Sequence, residues 1–153
     1  MKKIIYLMAS ALLFAGLTSC NKQEPDYGVR FQSVLINVPQ KSWTYSNIDN
    51  NNYFCATVDM PEITEYAFDN GLVKLYRTYN FDSSNPTQIE MPYIHPMERF
   101  FPEENYWEFY NEELDYEFGI GTLTIFFTMS NFDYEVDESL IPENMQFRCV
   151  IGY

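Results

Sequence analysis

The strongest constraint on the fold of this chain is a two-residue alternation of apolar and polar side chains in short runs. In Tyr53-Phe54-Cys55-Ala56-Thr57-Val58-Asp59-Met60 the apolar Phe54, Ala56, Val58 and Met60 fall on every second position. That period matches a half-buried strand, whose successive side chains point to opposite faces. The same reading predicts strands over 29–38, 43–46, 52–60, 72–80, 106–111, 113–118, 121–130 and 145–152, separated by turn-rich stretches. Seven or eight short, mainly antiparallel strands in one domain predict an all-β fold, a β-sandwich. The segment from Phe81 to Asn105 reads as a long connection.

Pro61-Glu62-Ile63-Thr64-Glu65-Tyr66-Ala67-Phe68-Asp69-Asn70-Gly71 breaks the alternation. It opens on proline and early acid and closes on glycine, which are helix start and stop signals. A short crossover helix is therefore predicted over about 61–70, capping one end of the sandwich, with Ile63, Tyr66 and Ala67 on one face.

The amino terminus has a different organisation. Lys2 and Lys3 precede an apolar run from Ile4 to Phe14, which is followed by small residues and a cysteine. This is the order of an export signal, and the run is shorter than the roughly 20 residues a membrane span requires. Leu17-Thr18-Ser19-Cys20 resembles the lipobox of bacterial lipoproteins: Leu17 stands at the branched apolar position, Thr18 and Ser19 at the small ones and Cys20 at the acceptor. The resemblance implies a signal peptide over 1–19, cleavage before Cys20 and diacylglyceryl attachment to its thiol. Each buried methylene of an acyl chain contributes about 0.8 kcal/mol, so two or three chains anchor the protein stably. Residues 20–27 form a polar tether, and 28–153 a single domain. About seven tether residues at about 3.3 Å each reach roughly 20–25 Å, which keeps the domain near its membrane. Glu24 and Asp26, soon after the cysteine, are similar to surface-export signals of Bacteroidetes-type lipoproteins. The expected location is the outer membrane, facing the cell surface or the periplasm.

A second resemblance covers most of the remaining chain. Trp43, Tyr53-Phe54, Met60-Pro61-Glu62-Ile63-Thr64, Gly71-Leu72-Val73, Tyr76-Arg77, Pro92-Tyr93, Gly119 and Phe147-Arg148-Cys149-Val150-Ile151 look like a group of small, uncharacterised Bacteroidetes lipoproteins. Its motifs are structural in character, and it implies no catalytic residue.

Charge narrows the partners. The chain carries 9 basic and 22 acidic residues, a net charge of −13. Nucleic-acid binding needs clustered Lys and Arg, whereas here the cations are scattered, so nucleic acid is not an expected partner. A polybasic membrane patch is likewise missing from the sequence. Of the three cysteines, Cys20 is assigned to lipid. Cys55 falls on the mixed face of its strand and Cys149 on the face shared with Met145, Phe147, Ile151 and Tyr153, which argues against their pairing although an exported compartment permits a disulfide.

Candidate chemistry is sparse. His95 is the only histidine, which excludes mechanisms needing two imidazoles, and neither a positioned nucleophile nor zinc-ligand spacing accompanies it. Between two prolines it reads as a loop residue. Glu113, Asp115 and Glu117 alternate with Leu114, Tyr116 and Phe118, the pattern of a solvated sheet face. Asp133, Glu135 and Asp137 are candidate calcium ligands resembling the start of an EF-hand loop, but Glu138 stands where that loop needs glycine. Loops including Asp49-Asn50-Asn51-Asn52 are an alternative calcium site; otherwise no cofactor is expected.

The aromatic-acidic segment from Phe100 to Tyr110 is the best candidate binding surface, with Trp107, Tyr106, Tyr110 and Phe101 as its ligand-binding residues. Rings beside carboxylates suit stacking on sugar rings and bonding to their hydroxyls. The competing reading turns Trp107 and Phe109 into the core and uses Phe100 and Phe101 to plug the sandwich end. Function is therefore expected to be that of a non-catalytic envelope module binding a glycan or protein, ahead of a structural or assembly component of an envelope complex. A hydrolase using paired carboxylates ranks third.

Overall fold

The computed structural model describes residues 30–48, 51–131 and 140–153. These form nine strands: β1 (Phe31–Val38), β2 (Thr44–Ile48), β3 (Asn51–Met60), β4 (Leu72–Tyr79), β5 (Thr87–Glu90), β6 (Tyr93–Phe101), β7 (Tyr106–Gly119), β8 (Gly121–Met129) and β9 (Met145–Gly152). One short helix, α1 (Glu65–Asn70), and one 3-10 turn, Gln40–Ser42, complete them. All pairings are antiparallel. The strands make a four-stranded sheet, in order β1-β9-β4-β5, and a five-stranded sheet, in order β2-β3-β8-β7-β6. The fold is the all-β sandwich that the alternation predicts.

Each sheet buries the face that its alternation makes apolar. Ile36 and Val38 of β1, Phe147, Cys149 and Ile151 of β9, and Val73 and Leu75 of β4 supply one inner face. Phe54, Ala56 and Met60 of β3, Leu123, Ile125 and Phe127 of β8, and Tyr110 and Leu114 of β7 supply the other. Burying one such large side chain contributes about 1.5–3 kcal/mol, so these residues dominate stability. Cys149 lies within this core, whereas Cys55 points out of the opposite sheet, level with Thr44 and Phe126. Both thiols are free.

The turns explain how the strands are joined. Gly121 takes a positive φ of 75° directly after β7 and Ile120, a conformation that costs glycine nothing. Asn105, with φ 51°, closes the four-residue loop between β6 and β7, and Asn80, with φ 52°, follows β4; asparagine tolerates this region better than most residues.

The crossover helix lies inside the predicted range but starts later. Thr64 is its N-cap, its Oγ1 accepting the Ala67 N–H at 3.2 Å, and the helix carries the chain from β3 in one sheet to β4 in the other. Ile63 and Ala67 are buried as expected, but Tyr66 is 63% exposed and meets Tyr153 edge-on at 6.3 Å. The expected face was drawn from residue 61, whereas helical geometry begins only after Thr64. Gly71 ends the helix with its N–H donated to the Ala67 carbonyl at 2.9 Å. A Cβ there would sit 2.5 Å from the carbonyl oxygens of Ala67 and Gly152, so close approach rather than φ demands glycine.

The segment 81–105 is not a long connection: it contains β5 and β6, the outer strands of the two sheets. The two strands predicted over 106–111 and 113–118 are one continuous strand, β7.

Candidate binding surface

The β6–β7 hairpin is built from a length mismatch. β7 runs from Tyr106 to Gly119, but β8 pairs only with Glu112 to Gly119, and Ser130 bonds Asn111 just past that ladder. Residues 106–110 pair with β6 alone and, at about 3.4 Å per residue, carry roughly 15 Å of two-stranded ribbon beyond the last β8 pair. Hairpin register places Phe100 opposite Trp107, Glu98 opposite Phe109, Phe101 opposite Tyr106, and Arg99 opposite Glu108.

Each pair shares a face, so the ribbon has two aromatic sides. On the outer side Phe100 and Trp107 lie 4.9 Å apart between centroids with 37° between their planes. Trp107 is 48% and Phe109 74% exposed. Trp107 and Phe109 therefore turn to solvent, which decides against the core reading. On the inner side Phe101 and Tyr106 stack at 6.3 Å, and the Arg99 guanidinium lies 5.9 Å from the Phe101 ring and 5.5 Å from that of Tyr110.

Of the four residues expected to bind ligand, Trp107 alone lies on the outer side with Phe100 and Phe109. Tyr106 is exposed on the other side beside the half-buried Phe101. Tyr110 is a core residue, 8% exposed. Strand parity is the reason: Tyr110 is even, like the buried Leu114, and it packs inward where the ribbon joins the sandwich. Phe100 and Phe109, which belong to the exposed surface, were assigned to the interior in the competing reading; parity with the acidic trio at 113, 115 and 117 is the signal that places Phe109 outside.

Where the ribbon meets the sandwich, a partly buried polar cluster joins the two sheets, with His95 at its exposed margin. Arg77 and Tyr79 come from β4, Tyr93 and His95 from β6 and Glu112 from β7. His95 thus lies on a strand, level with Glu112, and its ring is 6.4 Å from that of Tyr79. The Tyr79 and Tyr93 hydroxyls are hydrogen-bonded, and burial pushes the Tyr93 hydroxyl well above its ordinary range. The Arg77 guanidinium is 5.2 Å from the Tyr79 ring and 5.4 Å from that of Phe147. Its Nε and Nη1 are buried without a hydrogen-bond partner, and desolvation lowers its pKa. Burial raises the Glu112 carboxyl above the usual carboxylate range, against the opposing pull of His95, Arg77 and Arg99. The Tyr79–Tyr93 hydrogen bond ties β4 of one sheet to β6 of the other beside the ribbon's base, and Glu112 of β7 faces the charges of His95 and Arg77 there.

Glu113, Asp115 and Glu117 occupy the outer side of β7. Their side chains repeat at about 6.8 Å along one strand instead of converging. A depression of about 480 Å³, lined by Pro92, Tyr93, Ile94, Glu113, Leu114 and Asp115, lies at the ribbon's base. Among the described residues no group of three or more His, Cys, Asp or Glu side chains is placed to hold a metal ion. Asp133, Glu135 and Asp137 lie outside the described residues, as do Asp49 and Asn50. Asn52 is committed locally: its Oδ1 accepts from Tyr45 Oη at 2.6 Å and from Asn47 Nδ2 at 2.5 Å. Cys20 and the tether also lie outside the described residues, and no described helix is long and apolar enough to cross a membrane.

No family model, curated protein or solved structure matches this chain.

Proposed function

We propose that this chain is an exported lipoprotein, anchored in the bacterial outer membrane through Cys20, whose sandwich domain is a non-catalytic glycan-binding module. The observation that carries the binding reading is the outer side of the β6–β7 ribbon, where Phe100, Trp107 and Phe109 are exposed on paired strands beside Glu98. Aromatic faces cover the apolar faces of sugar rings, and a neighbouring carboxylate accepts from their hydroxyls. A strand ladder, tied at its base to the other sheet by the Tyr79–Tyr93 hydrogen bond, holds the rings without the ordering cost a loop incurs on binding.

The anchor rests on Lys2-Lys3, the apolar run 4–14 and Leu17-Thr18-Ser19-Cys20. The short tether keeps the module within reach of envelope-attached polysaccharide. The assembly alternative draws on the outer edge of β6, but Pro96 lacks an N–H in that strand and so weakens the edge as a template for another strand.

The test is retention of the full-length protein, in detergent micelles, on a panel of immobilised polysaccharides. Trp107→Ala is expected to weaken retention at least about tenfold, the scale for a central aromatic anchor, while lowering the melting temperature by no more than a few degrees through loss of the Phe100 ring contact. Absence of Trp107-dependent retention on every polysaccharide refutes the binding reading. Separately, Cys20→Ala is expected to move the protein from the membrane to the soluble fraction, and continued membrane fractionation refutes the anchor.

A further inference from the structure

The charge on the ribbon's side of the five-stranded sheet selects among glycans, and this inference rests on the binding reading above. Alternation and register place Asp59 of β3, Glu98 of β6 and Glu113, Asp115 and Glu117 of β7 on the outer face. The described cations all lie elsewhere. Arg30, Lys74, Arg77 and Arg148 belong to the other sheet or its terminus, Lys41 to the 3-10 turn, and Arg99 to the ribbon's inner side. Lys74 is moreover paired with Glu90. Every charge the strands place on this outer face is therefore negative.

The order along β7 matters as much as the sign. Trp107, Phe109, Glu113, Asp115 and Glu117 all face outward on one uninterrupted strand. At about 3.4 Å per residue, rings and then carboxylates follow one another over roughly 34 Å. A linear polymer laid along this strand meets aromatic faces first and a regular row of anions after them. Sulfated or uronic-acid chains are repelled there. A chain bearing protonated amines gains at both ends, because ammonium groups are attracted to carboxylates and to aromatic faces alike.

We propose that the ligand is an amine-bearing polysaccharide, a hexosamine polymer with free amino groups, held along the outer side of β7. The exposed rings of Phe100, Trp107 and Phe109 favour the sugar over a basic peptide, since they offer aromatic surface suited to pyranose faces.

The experiment compares binding of the full-length protein to four probes at about pH 6, where carboxylates are ionised: chitosan oligosaccharides, their fully N-acetylated counterparts, heparin and poly-lysine. The chitosan form is expected to bind at least about tenfold more tightly than the acetylated form, as a few exposed charge pairs and one cation–π contact imply. That margin should shrink with added salt and disappear in the Glu113→Gln/Glu117→Gln variant, whose side chains lie on the solvent face. Trp107→Ala should weaken both sugars, and heparin should not bind. Equal, Trp107-dependent binding of both sugars overturns amine selection and leaves the glycan reading standing. Chitosan binding indifferent to Trp107 overturns the proposed site. Trp107-dependent binding of poly-lysine without chitosan assigns the face to a basic polypeptide and overturns the proposal. No Trp107-dependent binding to chitosan or its acetylated form overturns this proposal, and the glycan reading is then decided by the wider polysaccharide panel above.

Discussion

Truncating neighbouring side chains on β8 tests the two-faced strand directly. Ile125 is 0% exposed and lies between Ala56 of β3 and Tyr116 of β7. Ile125→Ala removes three carbons, worth about 0.8 kcal/mol each in transfer. With the cavity left at the centre of a sheet, the loss is expected to reach about 3–4 kcal/mol. Thr124, one residue earlier, points to the opposite face, where its Oγ1 lies 3.1 Å from that of Thr57. Thr124→Ala removes that exposed cross-strand contact and some strand propensity, expected to cost about 0.5–1 kcal/mol. For a domain of this size each kcal/mol moves the melting temperature by about 3–5 °C. The expected losses are therefore about 10–15 °C for Ile125→Ala and about 2–5 °C for Thr124→Ala, read by thermal denaturation monitored by circular dichroism. Because a one-residue slip exchanges the two faces of a strand, equal or reversed losses would refute the register and the core assignment built on it.

Two further outcomes concern titrating groups. Burial holds the folded Glu112 pKa above its ordinary value, so its contribution is favourable below the unfolded value of about 4.3 and is lost as pH rises through the folded one. Glu112→Gln is expected to melt above the parent at pH 7, with the gap closing as pH falls toward about 4; a lower melting point at pH 7 would show that His95, Arg77 and Arg99 more than offset the lost hydration. Cys149 is buried and, by desolvation, pushed up to about 11. In the Cys20→Ala protein, alkylation at about pH 8 is expected to label the half-exposed Cys55 first and Cys149 only on unfolding, and labelling of both thiols at one rate contradicts the placement of Cys149 in the core.

Fold class and core were legible where a strand has one wet and one dry face. β3, β8 and β9 announce themselves by alternation, because burial on one side and solvent on the other act on successive residues. The outer strands carry a weaker signal. All four residues of β5 are exposed, so no dry face marks it, and β6 contains Pro96, which an interior strand would exclude and an outer strand tolerates. The local signal for β6 is weak: Pro102-Glu103-Glu104-Asn105 has turn composition, and the structure makes it the four-residue loop between β6 and β7.

The candidate surface divides in the same way. Composition identified an aromatic-acidic segment from Phe100 to Tyr110, and the alternation of Glu113, Asp115 and Glu117 with Leu114 and Tyr116 already sorted the lower half of β7. Extending that parity without a break assigns Phe109 and Trp107 to solvent and Tyr110 to the core, but only continuous pairing with β6 and β8 establishes that no residue is inserted between the two halves. The half-buried polar cluster was not legible at all. Arg77, Tyr93, His95 and Glu112 are scattered through the sequence, and they meet because two sheets packed face to face bring β4 against β6 and β7. Local chain chemistry determined which residues alternate, where the helix is capped and where the turns fall, since those depend on neighbours within a few residues. Sheet order, the overhang of the ribbon and the pooling of negative charge on one face were decided by tertiary structure, because each depends on which distant strands share hydrogen bonds.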